Sequence, residues 1–223
     1  NVVFRNIPEI GIENVSPSYC FHTNILFDSD TGRGFGISSA NNMTNVTISN
    51  YYERAGRLAA TGNINSYFQN VNNIKLINYN SYSSISLGNS VDGTEVGEVR
   101  IIDSKLYSDD GFGTIYSVGI VDKVRIINSE ILNESSANPA FTFQGDLVTD
   151  FKMIGGKITR TSGLQLNTSG GTSAAEFENV HDVRTGVSDV ILNSYYDGGS
   201  AIDASGFNGN LTTSDDTTQK VAQ

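Results

Sequence analysis

The sequence predicts an all-β chain folded as a right-handed parallel β-helix of about eight coils. Six short segments of the same shape end at residues 50, 78, 103, 128, 155 and 179, so the motif recurs every 24 to 28 residues. Within each copy, apolar and polar side chains alternate, and Asn, Asp or Gly closes the copy. A repeat of this length is typical of a solenoid, in which each repeat buries its apolar face only against its neighbours. Two looser copies precede the six and end at Asn6 and Asp28.

Each copy is predicted to be a strand with one face turned inward. Its second and fourth residues are apolar, and an alternation with a period of two residues is typical of a strand. β-Branched residues are frequent at these positions, and they favour strands. The right-handed coil follows from the general bias of parallel crossovers. The residues expected in the core include Val46, Ile48, Val99, Ile101, Val124 and Ile126.

Further apolar residues predict a second and a third strand in each coil. Leu106, Ile131 and Ile158 each come three residues after a closing position. A later cluster comprises Ile85 and Leu87, Phe112 and Ile115, Phe141 and Phe143, and Leu164 and Leu166. No segment predicts a helix, because the nearest candidate, residues 54–60, is too short.

The closing residues are predicted to stack into a ladder along the solenoid axis. Coils lie about 4.8 Å apart, so that Asn50, Asn78, Asp103 and Asn128 would become neighbours. Asn and Asp are turn residues, and stacked amides form hydrogen bonds with one another. We therefore expect these residues to have a structural role rather than to bind a ligand.

The third and fifth residues of each copy are expected on the outer face. The third residues include the cations Lys75, Arg100, Arg125 and Lys152, and the fifth include Ile77, Ile102, Ile127 and Ile154. Stacked like charges are destabilising, so the cations need acids of the same chain, a partner subunit or an anionic ligand beside them. An exposed apolar stripe is usually an interface; the alternative is that the Lys and Arg stems cover the isoleucines within one chain.

Composition narrows the function classes. The chain has 223 residues and a net charge of −10, which argues against nucleic acid and anionic membranes as general partners. With one Cys and two His, the chain has no zinc-binding pattern, and we expect neither a metal nor a cofactor. No apolar run approaches the length of about 20 residues that spans a membrane, so we expect no membrane insertion.

The repeat pattern also predicts the domain organisation. It continues to about residue 194, which predicts a β-helix over residues 1–194 and an irregular C-terminal segment over residues 195–223. The chain begins in mid-repeat and without a cap. Because an uncapped solenoid exposes strand edges, we expect the chain to be a fragment of a longer protein.

A pair of carboxyl groups is the candidate for catalysis. Asp109 lies six residues after Asp103, and Glu134 lies six residues after Asn128, so the register predicts that the two acids stack in successive coils. Cleavage of a glycosidic bond needs two carboxyl groups on opposite sides of that bond. Mutual repulsion between close carboxylates favours protonation of one of them, as a general acid requires.

The candidate catalytic residues are therefore Asp109 and Glu134, with Asp110 assisting. Tyr107 and Tyr116 are the candidate substrate-binding residues, because their rings can form a platform for a sugar. The alternative is that the acids are solvated turn residues, since the stretch from Ser108 to Gly111 is a good turn sequence.

A resemblance to a known family supports the fold prediction. The stretch from Val99 to Gly111, continued by Val124 to Ser129, resembles the coils of the pectin-lyase-like superfamily of right-handed parallel β-helices. Within it, Asp109 and Asp110 look like the paired Asp of polygalacturonases. The chain departs from polygalacturonases where they carry a His-containing motif, since Ser135-Ser136-Ala137 stands there. The wider pattern of irregular coils, abundant Asn, Ser and Gly and an acidic chain is most similar to bacteriophage tailspikes and tail-fibre receptor-binding proteins.

The resemblance to tailspikes implies a homotrimer in the virion tail that binds a bacterial surface polysaccharide and in some cases depolymerises it. A trimer would bring the isoleucines near a subunit contact. Two alternatives remain open: a secreted polysaccharide lyase or glycoside hydrolase that acts alone, and a structural or adhesive β-solenoid without catalysis.

Overall fold

The structure is a computed structural model that describes residues 2–5, 10–15, 19–28, 33–38, 43–53, 65–82, 84–88, 96–108, 114–117, 119–134, 140–143, 148–161, 174–184, 189–197 and 219–221. Every regular element in these residues is a strand, which confirms the all-β prediction. The strands are β1 (Val2–Arg5), β2 (Ile10–Val15), β3 (Tyr19–Asp28), β4 (Arg33–Ser38), β5 (Met43–Glu53), β6 (Asn65–Phe68), β7 (Val71–Ser81), β8 (Ser84–Leu87), β9 (Val96–Ile102), β10 (Lys105–Ser108), β11 (Ile115–Ser117), β12 (Val121–Ile127), β13 (Glu130–Asn133), β14 (Phe141–Phe143), β15 (Val148–Ile154), β16 (Lys157–Arg160), β17 (Ala174–Arg184), β18 (Val190–Asp197) and β19 (Gln219–Val221).

The strands form two sheets, as a parallel β-solenoid requires. The first sheet has 13 strands, and its parallel ladder runs from β1 through β3, β5 and β7 to β17. The second sheet has 6 strands in the order β14-β11-β8-β6-β4-β2. Ile101 of β9 and Ile126 of β12 are Cα partners, so the two copies lie in adjacent coils as predicted. The hand of the coil stays a prediction.

About four turns are regular, rather than the eight coils that we expected. These turns begin at Val71, Val96, Val121 and Val148, which are in register with one another. The strands β1, β3, β5 and β17 extend the ladder at its ends, but the segments that connect them lie largely outside the described residues.

The closing residue of each copy bends the chain through a left-handed backbone conformation. The closing residues all have φ between 48° and 60°, and they are Asn24, Asn50, Asn78, Asp103, Asn128, Gly155 and Asn179. Asn, Asp and Gly tolerate this region far better than other residues do. In three turns the bend divides the strand in two, as between β9 and β10, whereas β3, β5, β7 and β17 continue through it.

One of the looser copies was aligned wrongly. We expected it to close at Asp28, but Thr23 pairs with Ser49 and the left-handed residue of β3 is Asn24. The copy therefore reads Tyr19 to Asn24, with Cys20 and His22 at the inward positions where other copies carry Val or Ile. Because His22 is polar, this copy lacks the pair of strongly apolar inward residues that marks the other copies.

The amide ladder is present at the N-terminal end of the solenoid. Asn50 donates a hydrogen bond from Nδ2 to Oδ1 of Asn24 at 3.1 Å, and Asn78 donates one to Oδ1 of Asn50 at 2.9 Å. Asn78 also donates to the hydroxyl of Tyr52 at 2.6 Å. The closing residue Gly155 has no side chain to continue the ladder, and a Cβ added there would lie only 2.7 Å from Oδ1 of Asn128. Of the predicted ladder, the hydrogen bond between Asn50 and Asn78 is present, and it continues to Asn24, which was not predicted.

The core lies between the two sheets and consists of stacked columns. All six residues expected there are at most 1% exposed. Beyond the bend, Leu106, Ile131 and Ile158 are fully buried, also as expected. Tyr51 and Tyr79 stack in the same region with ring centroids 4.4 Å apart.

At Ser117 the second sheet places inward a residue that the sequence does not reveal. Ile115 pairs with Ile85 and Phe141, so that Ser117, rather than an apolar residue, is the partner of Leu87. Ser117 is fully buried, and its hydroxyl has no hydrogen-bond partner among the described residues. Of the apolar cluster expected in this sheet, Ile85, Leu87, Ile115 and Phe141 are fully buried, whereas Phe112 lies outside the described residues.

The parallel ladder ends at an antiparallel strand. β17 pairs in parallel with β15 and β16, whereas β18 runs antiparallel to it and pairs with β19. A buried bidentate ion pair stabilises this end, with Arg160 Nε and Nη2 each 2.8 Å from an oxygen of Asp182. The predicted domain boundary after residue 194 falls within β18 and stays a prediction, since residues 198–218 lie outside the described residues.

Two substitutions at Asn78 separate the contribution of the ladder hydrogen bonds from that of the left-handed backbone conformation. Asn78→Ala removes the ladder hydrogen bonds and places a Cβ residue in a left-handed conformation, whereas Asn78→Gly removes only the hydrogen bonds. We expect both variants to be less stable than the wild type, with the Ala variant lower than the Gly variant by about 1 kcal/mol in free energy of unfolding. Urea denaturation followed by circular dichroism measures this difference. Equal stability of the two variants would contradict the account of the bend.

Candidate functional site

The outer face of the first sheet presents aligned columns of side chains. The first column comprises Tyr19, Asn45, Asn73, Glu98, Lys123 and Asp150, which are Cα partners in successive strands. The cation column lies two residues further along each strand and comprises Lys75, Arg100, Arg125 and Lys152, preceded in register by Phe21 and Thr47. The inward residue between the two columns is buried in each strand, so both columns face outward.

A groove of about 320 Å³ lies across three strands of this face. The outward side chains that line it are Asn45, Thr47, Asn73, Lys75, Glu98 and Arg100. Val46 and Ile74 also line it, but their side chains are buried in the core, so they contribute backbone. The groove thus offers amides, a hydroxyl, two cations and one carboxylate to a polar ligand.

Acids of the same chain neutralise three of the four cations. Arg100 contacts Glu98 at 2.8 Å, Arg125 pairs with Asp150, and Lys152 contacts Glu176 at 3.0 Å. At these three positions, acids of the same chain therefore compensate the stacked cations, which is one of the possibilities given by the sequence. No described carboxylate forms an ion pair with the fourth cation, Lys75.

The ion pairs shift the proton affinities of their members. The hydrogen bond from Arg100 lowers the pKa of Glu98, and the charges of Arg125 and Lys123 act in the same direction. The hydrogen bond to Glu176 raises the pKa of Lys152, with a further contribution from Glu178. Glu98 and Lys152 therefore stay ionised near neutral pH, although ion pairs as exposed as these contribute little to stability.

Two exposed aromatic rings continue the columns beyond the groove. Tyr19 is 73% exposed and Phe21 is 70% exposed, and they are the Cα partners of Asn45 and Thr47 in the adjacent strand. Large aromatic side chains contribute most to stability when they are buried, so rings this exposed add little to the fold. Their position beside a polar groove makes them candidates for ligand contact.

The site predicted from the sequence is only partly within the described residues. Tyr107 donates a hydrogen bond from its hydroxyl to Glu134 Oε2 at 3.0 Å, and its ring lies 5.5 Å from that of Tyr82. The register behind the prediction holds as far as Ser108 and Asn133, which are Cα partners. Asp109 and Asp110 lie outside the described residues, so the proposed catalytic pair stays a prediction.

The other predicted substrate-binding residue, Tyr116, is in the second sheet and is 7% exposed. The structure therefore does not bring it onto the face that carries Tyr107. Its role in binding a sugar stays a prediction.

The isoleucine column (Ile77, Ile102, Ile127 and Ile154) is in register and half-buried. Its predicted place at a subunit contact stays a prediction. Among the described residues, no group of three or more His, Cys, Asp or Glu side chains is placed to hold a metal ion. The described part of the chain also contains no helix long and apolar enough to cross a membrane.

Sequence reasoning missed Phe21 and the residues of the first column, which are Tyr19, Asn45, Asn73, Glu98, Lys123 and Asp150. The missing signal was the alignment of the second copy, because closing it at Asn24 rather than Asp28 places Tyr19 and Phe21 in the two outer columns. Asn45 and Asn73 open their copies, and the expectation of a structural role for Asn obscured them.

Comparison with known proteins adds no relative. The chain matches no protein-family model, no curated protein and no solved structure.

A matched pair of substitutions on β3 tests whether an exposed ring contributes to stability as a core ring does. Phe21→Ala is expected to change the free energy of unfolding by less than about 0.5 kcal/mol, because the ring is mostly in water. Phe27→Ala, which empties a fully buried position, is expected to cost about 3 to 5 kcal/mol. Chemical denaturation of both variants measures the difference. A large loss of stability for Phe21→Ala would show that its ring belongs to the fold rather than to a site.

Proposed function

We propose that this protein binds a bacterial surface polysaccharide along the outer face of its solenoid, as a tailspike-like protein of a phage virion. The observation that carries the proposal is the groove between Asn45 and Arg100 with two exposed aromatic rings in line with it. Other parts of the proposal, including the virion tail as its location and the homotrimer, rest on the resemblance to tailspikes. The secreted enzyme stays the alternative location and function.

The chemistry of the face suits a sugar chain. A glycan offers many hydroxyl groups, which hydrogen-bond to amides, hydroxyls and charged side chains, and apolar ring faces, which pack on aromatic rings. Asn45, Asn73 and Thr47 supply the first kind of contact, and Tyr19 and Phe21 supply the second. The five residues span three adjacent strands, or about 10 Å along the axis, which suits an extended ligand.

Assembly into a trimer fits the isoleucine column. Four stacked isoleucines in register on an outer face form a continuous apolar surface, and such surfaces are commonly covered by a partner.

Cleavage of the polysaccharide is a second part of the proposal, at a different flank. Glu134 is exposed and accepts a hydrogen bond from Tyr107, so a carboxylate and an aromatic ring stand together at a surface. With Asp109 and Asp110 contributing the second carboxyl group, this flank would act as a glycoside hydrolase or lyase.

The proposal is tested with a panel of purified bacterial capsular polysaccharides and O-antigens, using biolayer interferometry for binding. We expect the protein to bind at least one of them, and Tyr19→Ala and Phe21→Ala each to weaken that binding about tenfold through loss of ring packing. Ile191→Ala is the matched control, because Ile191 is also exposed, at 59%, but lies on β18. Light scattering of the same sample is expected to give a trimer.

The same samples test cleavage by the release of reducing ends. Asp109→Asn and Glu134→Gln are expected to abolish that release while binding persists. Absence of binding to every polysaccharide, or equal loss of binding in the Ile191→Ala control, would contradict the proposed function. Binding without any release of reducing ends would leave an adhesin and remove the catalytic part.

A further inference from the structure

We infer that the groove selects polysaccharides that carry an anionic group in each repeating unit, and that Lys75 is the residue that binds this group. The inference rests on the proposed function and specifies its ligand. It follows from the charge of the face, the pairing of its cations and the position of Lys75 among neutral polar groups.

The outer face concentrates positive charge on an acidic protein. The chain has 14 Lys and Arg against 24 Asp and Glu. Five of those cations, Lys75, Arg100, Lys123, Arg125 and Lys152, occupy the two outer columns of four consecutive strands. The acids in the same stretch of the two columns are Glu98 and Asp150. A cationic strip on a chain of net charge −10 attracts anions locally.

The cations of the strip differ in what neutralises them. Arg100 is held by Glu98, Arg125 by Asp150, and Lys152 by Glu176 and Glu178. Lys75 stacks directly beside Arg100 in register, and like charges so placed are destabilising. Because no described carboxylate pairs with Lys75, an external anion is the partner that would relieve this repulsion.

The surroundings of Lys75 favour recognition rather than simple attraction. Lys75 is exposed at the groove, with Asn73 beside it on the same strand and Thr47 as its Cα partner. Neutral donors flanking one ammonium group can bind an anion together with neighbouring hydroxyls of a sugar. The rings of Tyr19 and Phe21 lie two strand spacings away, about 10 Å, where a further sugar of the same chain would pack.

The negative charge of Glu98 is expected to weaken the binding of an anionic ligand in the groove. Glu98 is the carboxylate within the groove, and it stays ionised beside Arg100. Its charge repels an anionic ligand and occupies Arg100. Removing that charge without changing the shape of the side chain therefore strengthens binding of an anionic ligand and leaves a neutral ligand unaffected.

The test compares each polysaccharide of the panel that binds with its own uncharged derivative. Carboxyl groups are reduced to alcohols, and phosphate substituents are removed with hydrofluoric acid, so that the two treatments distinguish the two sources of charge. The variants are Lys75→Met, Lys75→Arg, Glu98→Gln and, as a control, Lys157→Met. Lys157 lies on β16, beyond the bend, in a column with Glu130.

We expect the polysaccharides that bind to be acidic, and removal of their charge to weaken binding about tenfold, as loss of a charge-assisted hydrogen bond would. Lys75→Met is expected to match that loss, Lys75→Arg to retain binding, Glu98→Gln to strengthen it, and Lys157→Met to leave it unchanged. The inference is overturned if neutral polysaccharides bind as well as acidic ones, or if Lys75→Met binds like the wild type. Those outcomes leave the proposed function standing, whereas absence of binding to the whole panel contradicts both.

Discussion

The left-handed bend that closes each copy is the constraint on which the rest of the structure depends. It recurs at Asn50, Asn78, Asp103 and Asn128 with φ between 48° and 52°, and only a few residue types accept that conformation at low cost. Because the bend occurs at the same place in successive coils, the strands on either side of it stay in register. Slippage by one residue would turn every inward side chain outward, so the bend and the buried columns support each other.

Register converts a sequence repeat into surface columns whose chemistry changes along the axis. From β3 to β17 the two outer columns pass from aromatic rings through amides and a hydroxyl to cations, and end at an acid, Glu176. The groove lies where the neutral polar residues meet the first cations. A surface that varies over several coils suits an extended ligand better than a compact one, since successive parts of such a ligand meet different groups.

The sequence predicts the fold and core well because period-two alternation and turn residues act locally. Val99, Ile101 and their equivalents are buried as expected. The number of regular coils was not predicted. The copy closing at Asn24 was also missed, because the polar His22 stands at its second inward position as the register partner of Ile48. Likewise the inward position of Ser117 depends on pairing with Leu87, which no local pattern specifies. The groove was not predicted because it is formed by side chains from three aligned strands, β5, β7 and β9, which no single copy reveals.

The central claim is that the coils stack in register along the outer columns, and disulfide trapping tests it most directly. In a Cys20→Ala background, Ile102→Cys with Ile127→Cys places two thiols in adjacent coils, with Cα atoms about 5 Å apart and within disulfide reach. Ile77→Cys with Ile127→Cys uses the same column but skips one coil, so the separation of about 10 Å is too large. After mild oxidation, mass spectrometry of proteolytic fragments is expected to find the intrachain disulfide in the first variant and not in the second. A disulfide in the second variant, or none in the first, would contradict the register.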